Sequence, residues 1–152
     1  MTKKVTGIAV VAVLLLGACA SVPPSRNPGR ISDLVEMING SEPAELTAQS
    51  RIPFLFGTEL VSRASDVEMI WSSLKDSGAI FSEEGETMAA QSGDYHRLAN
   101  SFDLEVFFSR DSYLPEDAMW VPLASPLGSF DLLVGGEEGR LPMILGIVRV
   151  DR

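Results

Sequence analysis

Cys19 is the only cysteine in this chain of 152 residues, and it lies close to the N-terminus. No intramolecular disulfide is therefore possible. A tetrahedral zinc site is not expected either, because the chain offers one histidine and no second cysteine. About 134 residues follow residue 18, which is enough for one domain with a hydrophobic core. That domain must be held together by packing alone.

The N-terminus has the organisation of a secretory signal. Lys3 and Lys4 precede an apolar run over residues 5–16, and small residues follow at 17 and 18. A positive start, a short apolar run and small residues at the cut are typical of such signals. The run is shorter than the roughly 20 residues that a helix needs to cross a bilayer.

The tetrapeptide Leu16-Gly17-Ala18-Cys19 resembles the lipobox of bacterial lipoproteins. The resemblance implies cleavage between Ala18 and Cys19, and acylation of the Cys19 thiol, which is the nucleophile that forms a thioether. Two or three acyl chains would anchor the chain durably to a membrane. The resemblance thus implies a lipid-anchored protein of the bacterial cell envelope. Ala20-Ser21, with no aspartate after the cysteine, favours the outer membrane, facing the periplasm.

Two alternatives to lipidation remain open. Ala18 and Ala20 match an ordinary signal-peptidase site, whose cleavage would release a soluble protein and discard Cys19 with the signal. Alternatively, Cys19 is a small apolar residue of an uncleaved membrane anchor.

The chain divides into a signal peptide over residues 1–18, a tether over 19–29 and one domain over 30–152. The tether contains three prolines, which favour an extended chain. The whole chain has 12 basic and 21 acidic residues, and loss of Lys3 and Lys4 leaves 10 basic residues and a net charge near −11. This charge argues against nucleic acid or an anionic membrane surface as a direct partner.

Two short helices are predicted at the start of the domain. Ser32 is a suitable N-cap for the first, whose apolar residues repeat at i, i+3, i+4 and i+7 until Asn39-Gly40 ends it. The second runs from Pro43, in its first turn, to Leu46.

The next segments are predicted as an extended stretch, a helix and a loop. Residues 52–63 look extended, with Gly57-Thr58 as a turn or bulge. The helix covers residues 66–77 and begins with a capping box of Ser65 and Glu68. The acidic, glycine-containing residues 82–93 look like a loop.

The second half is predicted to be mostly strands. Apolar and polar residues alternate along 102–109 and 129–134, and Pro122 within 118–124 favours an edge or a bulge. Residues 141–150 are apolar on both faces, which predicts a strand that is central or wrapped around a core, after a hairpin loop at 135–140. The predicted class is α+β, with short N-terminal helices packed on a curved antiparallel sheet.

Two stretches, LVEMINGSEPAELTAQSRIPFLFGTELVSR and FDLLVGGEEGRLPMILGIVRV, resemble the nuclear transport factor two-like superfamily. The resemblance implies a cone, in which the sheet wraps around helices and encloses a pocket. The chain departs from that pattern at Ser41-Glu42, where a Gly-Asp pair is usual, and in the long segment at 82–101.

No catalytic or metal-binding residues are predicted. His96 could be a general base, but a lone histidine beside charged neighbours is usually a surface residue. Asp103 and Glu105 could act as an acid–base pair, but the opposite face of this predicted strand is apolar, so the two acids are expected to face water. The acidic residues 82–86 lack the spacing of a calcium loop, and Glu137-Glu138 would repel a phosphate.

Five aromatic residues are candidates to line an apolar pocket, with core packing as the alternative: Phe54, Phe56, Trp71, Phe107 and Trp120. We therefore expect a membrane-tethered, noncatalytic domain, without a cofactor, that binds a small apolar ligand or another envelope protein. The alternatives are a cone-type hydratase, isomerase or hydrolase with an inner carboxylate, and a structural assembly lipoprotein.

Overall fold

The computed structural model describes residues 28–136 and 141–152. These residues form an α+β fold, which confirms the predicted class. The helices are α1 (Pro28–Gly40), α2 (Pro43–Gln49), α3 (Ala64–Asp76), α4 (Tyr95–Leu98) and α5 (Phe102–Ser109). The strands are β1 (Ser50–Phe56), β2 (Glu59–Val61), β3 (Ser82–Glu83), β4 (Met88–Ala89), β5 (Met119–Ser125), β6 (Gly128–Gly135) and β7 (Met143–Val150).

The seven strands form one sheet in the order β2-β1-β7-β6-β5-β3, and β4 also pairs with β5. The sheet is mixed, so the expectation of a purely antiparallel sheet was wrong. β1 pairs parallel with β7, whereas the other pairings are antiparallel. The long connection between β1 and β7 makes this parallel pairing possible, since parallel neighbours cannot be joined by a tight turn.

β7 is central, as predicted from its apolar character on both faces, because it lies between β1 and β6. Ile144 and Ile147 pack into a cluster on one face of the sheet, and Leu145 and Val148 pack into a cluster on the other. The first cluster is covered by α1, α2 and α3, and the second by α5. Helices therefore lie on both faces of the sheet.

The segment predicted as a strand over 102–109 is helix α5, so that prediction was wrong. Its buried residues are Leu104, Phe107 and Phe108, which follow the i, i+3, i+4 spacing of a helix rather than an alternation. The Ser101 hydroxyl accepts the amide of Leu104 and caps the helix. Phe102, which the alternating pattern placed inside, is 75% exposed.

Three helix boundaries also differ from the prediction. α1 begins at Pro28, so Ser32 lies inside the helix, where its hydroxyl donates to Glu83 at 2.6 Å. α3 begins at Ala64, and Arg63 rather than Ser65 occupies the N-cap. α2 begins at Pro43 as predicted but continues to Gln49.

Pro122 lies in β5 opposite two short strands rather than at a bare edge. β3 and β4 pair with residues on either side of it, and the Glu84 amide donates to the Pro122 carbonyl at 2.8 Å. The nitrogen and carbonyl of one strand residue point to the same side, so the missing N–H of Pro122 also faces this interrupted edge. The residues predicted as a loop over 82–93 thus contain both β3 and β4.

Candidate functional site

The five aromatic residues named as pocket candidates are separated by the sheet. Phe54 and Trp71 lie in the cluster under α1–α3, with their ring centroids 6.0 Å apart in an edge-to-face arrangement. Phe107 and Trp120 lie in the cluster under α5. Phe56 is 40% exposed at the end of β1. The four buried rings pack against protein atoms on opposite faces.

The two tryptophans are also held by hydrogen bonds. The Trp71 indole donates to the buried Ser50 hydroxyl at 3.1 Å, and that hydroxyl donates to the Leu46 carbonyl at 2.7 Å. These bonds tie α3 to the junction between α2 and β1. Among the described residues, each buried side-chain nitrogen or oxygen atom has a hydrogen-bond partner, as expected for a stable core.

Trp120 is fixed by a second polar cluster. Its indole donates to the Asp94 carboxylate at 2.7 Å, and the guanidinium of Arg97 lies 3.3 Å from the other carboxylate oxygen. The guanidinium carbon of Arg97 is 5.4 Å from the Trp120 ring centroid, within the range of a cation–π contact. Asp94 therefore fastens the segment before α4 onto β5.

Asp131 is a buried carboxylate that the sequence reasoning missed. It is 6% exposed on β6, pairs with Arg152, and neighbours Glu84, whose carboxylate lies 3.6 Å from the same guanidinium. In the sequence, Asp131 could be recognised only as a single acidic residue within the apolar run of β6. The ion pair accounts for the burial of Asp131.

The polar residues considered for catalysis are on the surface. His96, Asp103 and Glu105 are exposed, and the ring centroids of Tyr95 and His96 lie 4.0 Å apart with the rings tilted by 33°. Because α5 is a helix, Asp103 and Glu105 point in different directions rather than sharing one face. Among the described residues, no group of three or more histidine, cysteine, aspartate or glutamate side chains is placed to hold a metal ion.

Two open grooves are present on the described surface. One, of about 500 Å³, is lined by Arg51, Asp117 and Met143 among others. The other, of about 680 Å³, lies between β2 and α5. We call it the β2–α5 groove.

The lining of the β2–α5 groove is about equally polar and apolar. Its apolar residues are Pro53, Leu60, Phe102, Leu104, Val106 and Phe107. Thr58, Ser62, Ser101 and Tyr113 contribute hydroxyl groups. Phe107 is therefore the one pocket candidate that lines this groove, and it does so together with the exposed Phe102.

The only charged residues that line the β2–α5 groove, as far as the described residues show, are Glu59 and Asp103. Neither carboxylate forms an ion pair with another described residue. The groove therefore presents two negative charges beside its apolar residues, and no cation within its lining offsets them.

No protein-family model, curated protein or solved structure matches this chain. The site must therefore be interpreted from its own geometry. Among the described residues, none of the helices is both long and apolar enough to span a membrane. The lipobox residues Leu16, Gly17, Ala18 and Cys19 lie outside the described residues, so lipidation stays a prediction.

Proposed function

We propose that this chain is a membrane-anchored cell-envelope lipoprotein whose acidic domain is noncatalytic and binds another envelope protein through the β2–α5 groove. The observation that carries the binding role is the exposure of Phe102. This aromatic side chain is 75% exposed and lines the groove together with the apolar residues Leu104 and Phe107. Exposed aromatic residues beside an apolar surface are typical of protein interfaces.

Binding of a protein is favoured over binding of a small apolar ligand by the packing of the candidate aromatic residues. Small-molecule sites enclose most of the ligand surface. Phe54, Trp71 and Trp120 are at most 1% exposed and pack against other side chains on both faces of the sheet. The β2–α5 groove is open along its length, which suits an extended surface of a partner.

A noncatalytic role is favoured by the placement of the acids. The cone-type enzyme considered as an alternative requires an inner carboxylate that faces a pocket. Asp131 is the buried carboxylate of the sheet, but its charge is satisfied by Arg152, and it does not line either groove. The resemblance to the nuclear transport factor two-like superfamily, with its cone and pocket, stays a proposal.

The anchor explains how so acidic a domain stays at a membrane. Acyl chains on Cys19 would hold the chain there, with residues 19–27, which precede α1, as the tether, on the periplasmic side of the outer membrane. Tethering also raises the effective concentration of the domain toward partners in the same membrane. A weak groove contact would then suffice for association.

Photocrosslinking in the producing cells tests the binding role. The full chain would carry p-benzoylphenylalanine in place of Phe102, and the matched control would carry it in place of Met69, which is 64% exposed on α3. We expect one discrete protein adduct from position 102 that position 69 does not give. The same diffuse pattern from both positions, or no protein adduct at 102, would contradict the proposed function.

A further inference from the structure

β2 is the last strand of the sheet on the side of the groove. It pairs with β1 through the register Phe54–Val61, Leu55–Leu60 and Phe56–Glu59. The loop between them is the two residues Gly57-Thr58, and Gly57 has a φ of 60°. Glycine at the first central position is characteristic of a tight hairpin turn.

This register turns the peptide groups of Leu60 toward the open side. In a two-residue hairpin the flanking residues, Phe56 and Glu59, form a hydrogen-bonded pair, and the pairs then alternate. The Leu55–Leu60 pair is therefore not hydrogen-bonded, and the N–H and C=O of Leu60 face away from β1. No loop or cap hydrogen bond of the described residues involves Leu60.

The open edge and the groove coincide, because Leu60 and Glu59 of β2 also line the β2–α5 groove. An extended peptide placed along β2 would bond to the Leu60 backbone. Its alternate side chains would then point toward Phe102, Leu104 and Phe107 of α5. β2 is three residues long, so an added strand would extend the hydrogen-bond ladder through the Leu60 backbone alone.

The charges of the groove select the kind of peptide. Glu59 on the strand and Asp103 on α5 are the charged groups of its lining, as far as the described residues show. A peptide with lysine or arginine beside apolar residues would complement them. A second copy of this chain is disfavoured, because edge-to-edge pairing would bring together two acidic domains of a chain whose net charge is −9.

We infer that the β2–α5 groove binds an extended, basic segment of its partner by strand addition to β2. This inference rests on the proposed function and specifies the chemistry of the partner at the same groove. The main-chain bonds to Leu60 would supply affinity, and the apolar and acidic side chains would supply selection.

A designed peptide tests strand addition directly. The probe is an end-capped heptapeptide of alternating lysine and valine, titrated by fluorescence anisotropy into the full chain held in detergent. We expect saturable binding and slower hydrogen exchange at the segment that contains Leu60. A peptide with N-methylated amides on alternate residues should lose at least about tenfold in affinity, because it cannot extend the ladder. Equal affinity for the two peptides, or unchanged exchange at Leu60, would overturn the inference.

Charge variants give an independent readout. Glu59→Lys and Asp103→Lys are each expected to lower the affinity for the lysine–valine peptide about three- to tenfold. The matched control Glu68→Lys, on the exposed side of α3, should leave this affinity unchanged. Equal weakening by all three variants would indicate only a long-range charge effect and would overturn the selection claimed for the groove.

The two proposals fail separately. If position 102 gives a discrete adduct but the N-methylated peptide binds with unchanged affinity, the proposed function stands and strand addition is overturned. Conversely, selective peptide binding without any cellular adduct at position 102 keeps strand addition as a property of β2 and overturns the proposed function. A stable dimer of the full chain, linked through β2, would overturn the inference in favour of a second copy.

Discussion

The indole Nε1 of Trp71 lies 3.1 Å from the hydroxyl oxygen of Ser50, and both side chains are buried. This contact joins α3 to the first residue of β1, on the face of the sheet that α1–α3 cover. It is the polar contact at the centre of an otherwise apolar cluster. The stability of the domain should therefore depend on a hydroxyl at position 50.

We predict that Ser50→Ala lowers the free energy of unfolding by about 1–3 kcal/mol, because the buried Trp71 N–H would lose its acceptor. The matched control is Ser73→Ala, which removes an exposed hydroxyl from α3 and should change stability by less than about 0.5 kcal/mol. Urea denaturation followed by tryptophan fluorescence measures both. Equal effects of the two substitutions would contradict a structural role for the Trp71–Ser50 bond.

The parallel pairing of β1 and β7 depends on Gly146. A Cβ atom at this position would lie 2.5 Å from the Leu55 Cβ and 2.6 Å from the Leu55 carbonyl oxygen. Gly146→Ala should therefore destabilise the fold by about 1–3 kcal/mol or more, since the two strands would have to separate. Gly93→Ala is the control, because nothing lies within 4 Å of its added Cβ. A Gly146→Ala protein as stable as the Gly93→Ala protein would argue against this strand pairing.

Asp94 holds the segment over β3, β4 and α4 against the sheet through Trp120. Asp94→Ala should release this segment and lower the free energy of unfolding by about 1.5–3 kcal/mol, which is typical of a hydrogen bond to a charged group. Hydrogen exchange should rise over residues 88–98 and stay unchanged in β7. Asp76→Ala, at the exposed end of α3, serves as the control. Unchanged exchange over residues 88–98 would show that Asp94 does not fasten the segment.

Much of the fold could be predicted from local patterns. The order of the first three helices, the β1–β2 turn and the central position of β7 follow from helical spacing, turn residues and a strand apolar on both faces. The segment 102–109 could not be resolved this way, because Leu104 and Phe108 satisfy both an alternation and a helical repeat. The exposure of Phe102 and the cap formed by Ser101 distinguish a helix from a strand, but both are seen only in the three-dimensional structure.

The groove could not be predicted, because it depends on neighbours that are distant in the chain. β2 and α5 belong to different parts of the sequence, and only the sheet order places the open side of β2 beside α5. Local periodicity does not predict the parallel pairing of β1 with β7 either. The sequence shows Asp131 as a lone acid in an apolar strand, but it does not indicate that Arg152 is the residue with which Asp131 pairs.

Cys19→Ser tests the lipid anchor, which depends on the sequence alone. We expect the wild-type chain to take up labelled fatty acid and to be shortened by the signal. The Cys19→Ser chain should take up no label and lose membrane association if it is cut elsewhere. Persistence of Cys19→Ser in the detergent phase at full precursor size would indicate uncleaved insertion. No label on the wild-type chain would contradict lipidation.

The central claim, that a protein partner occupies the β2–α5 groove, is tested most directly by a crosslink that depends on Phe102. The crosslinker is placed at Ser62, which also lines the groove, and Phe102→Ala and Met69→Ala are compared in that background. We predict a discrete adduct whose yield falls about tenfold with Phe102→Ala, as for truncation of an aromatic interface residue, and stays unchanged with Met69→Ala. Equal adduct yields from the two variants would contradict the claim.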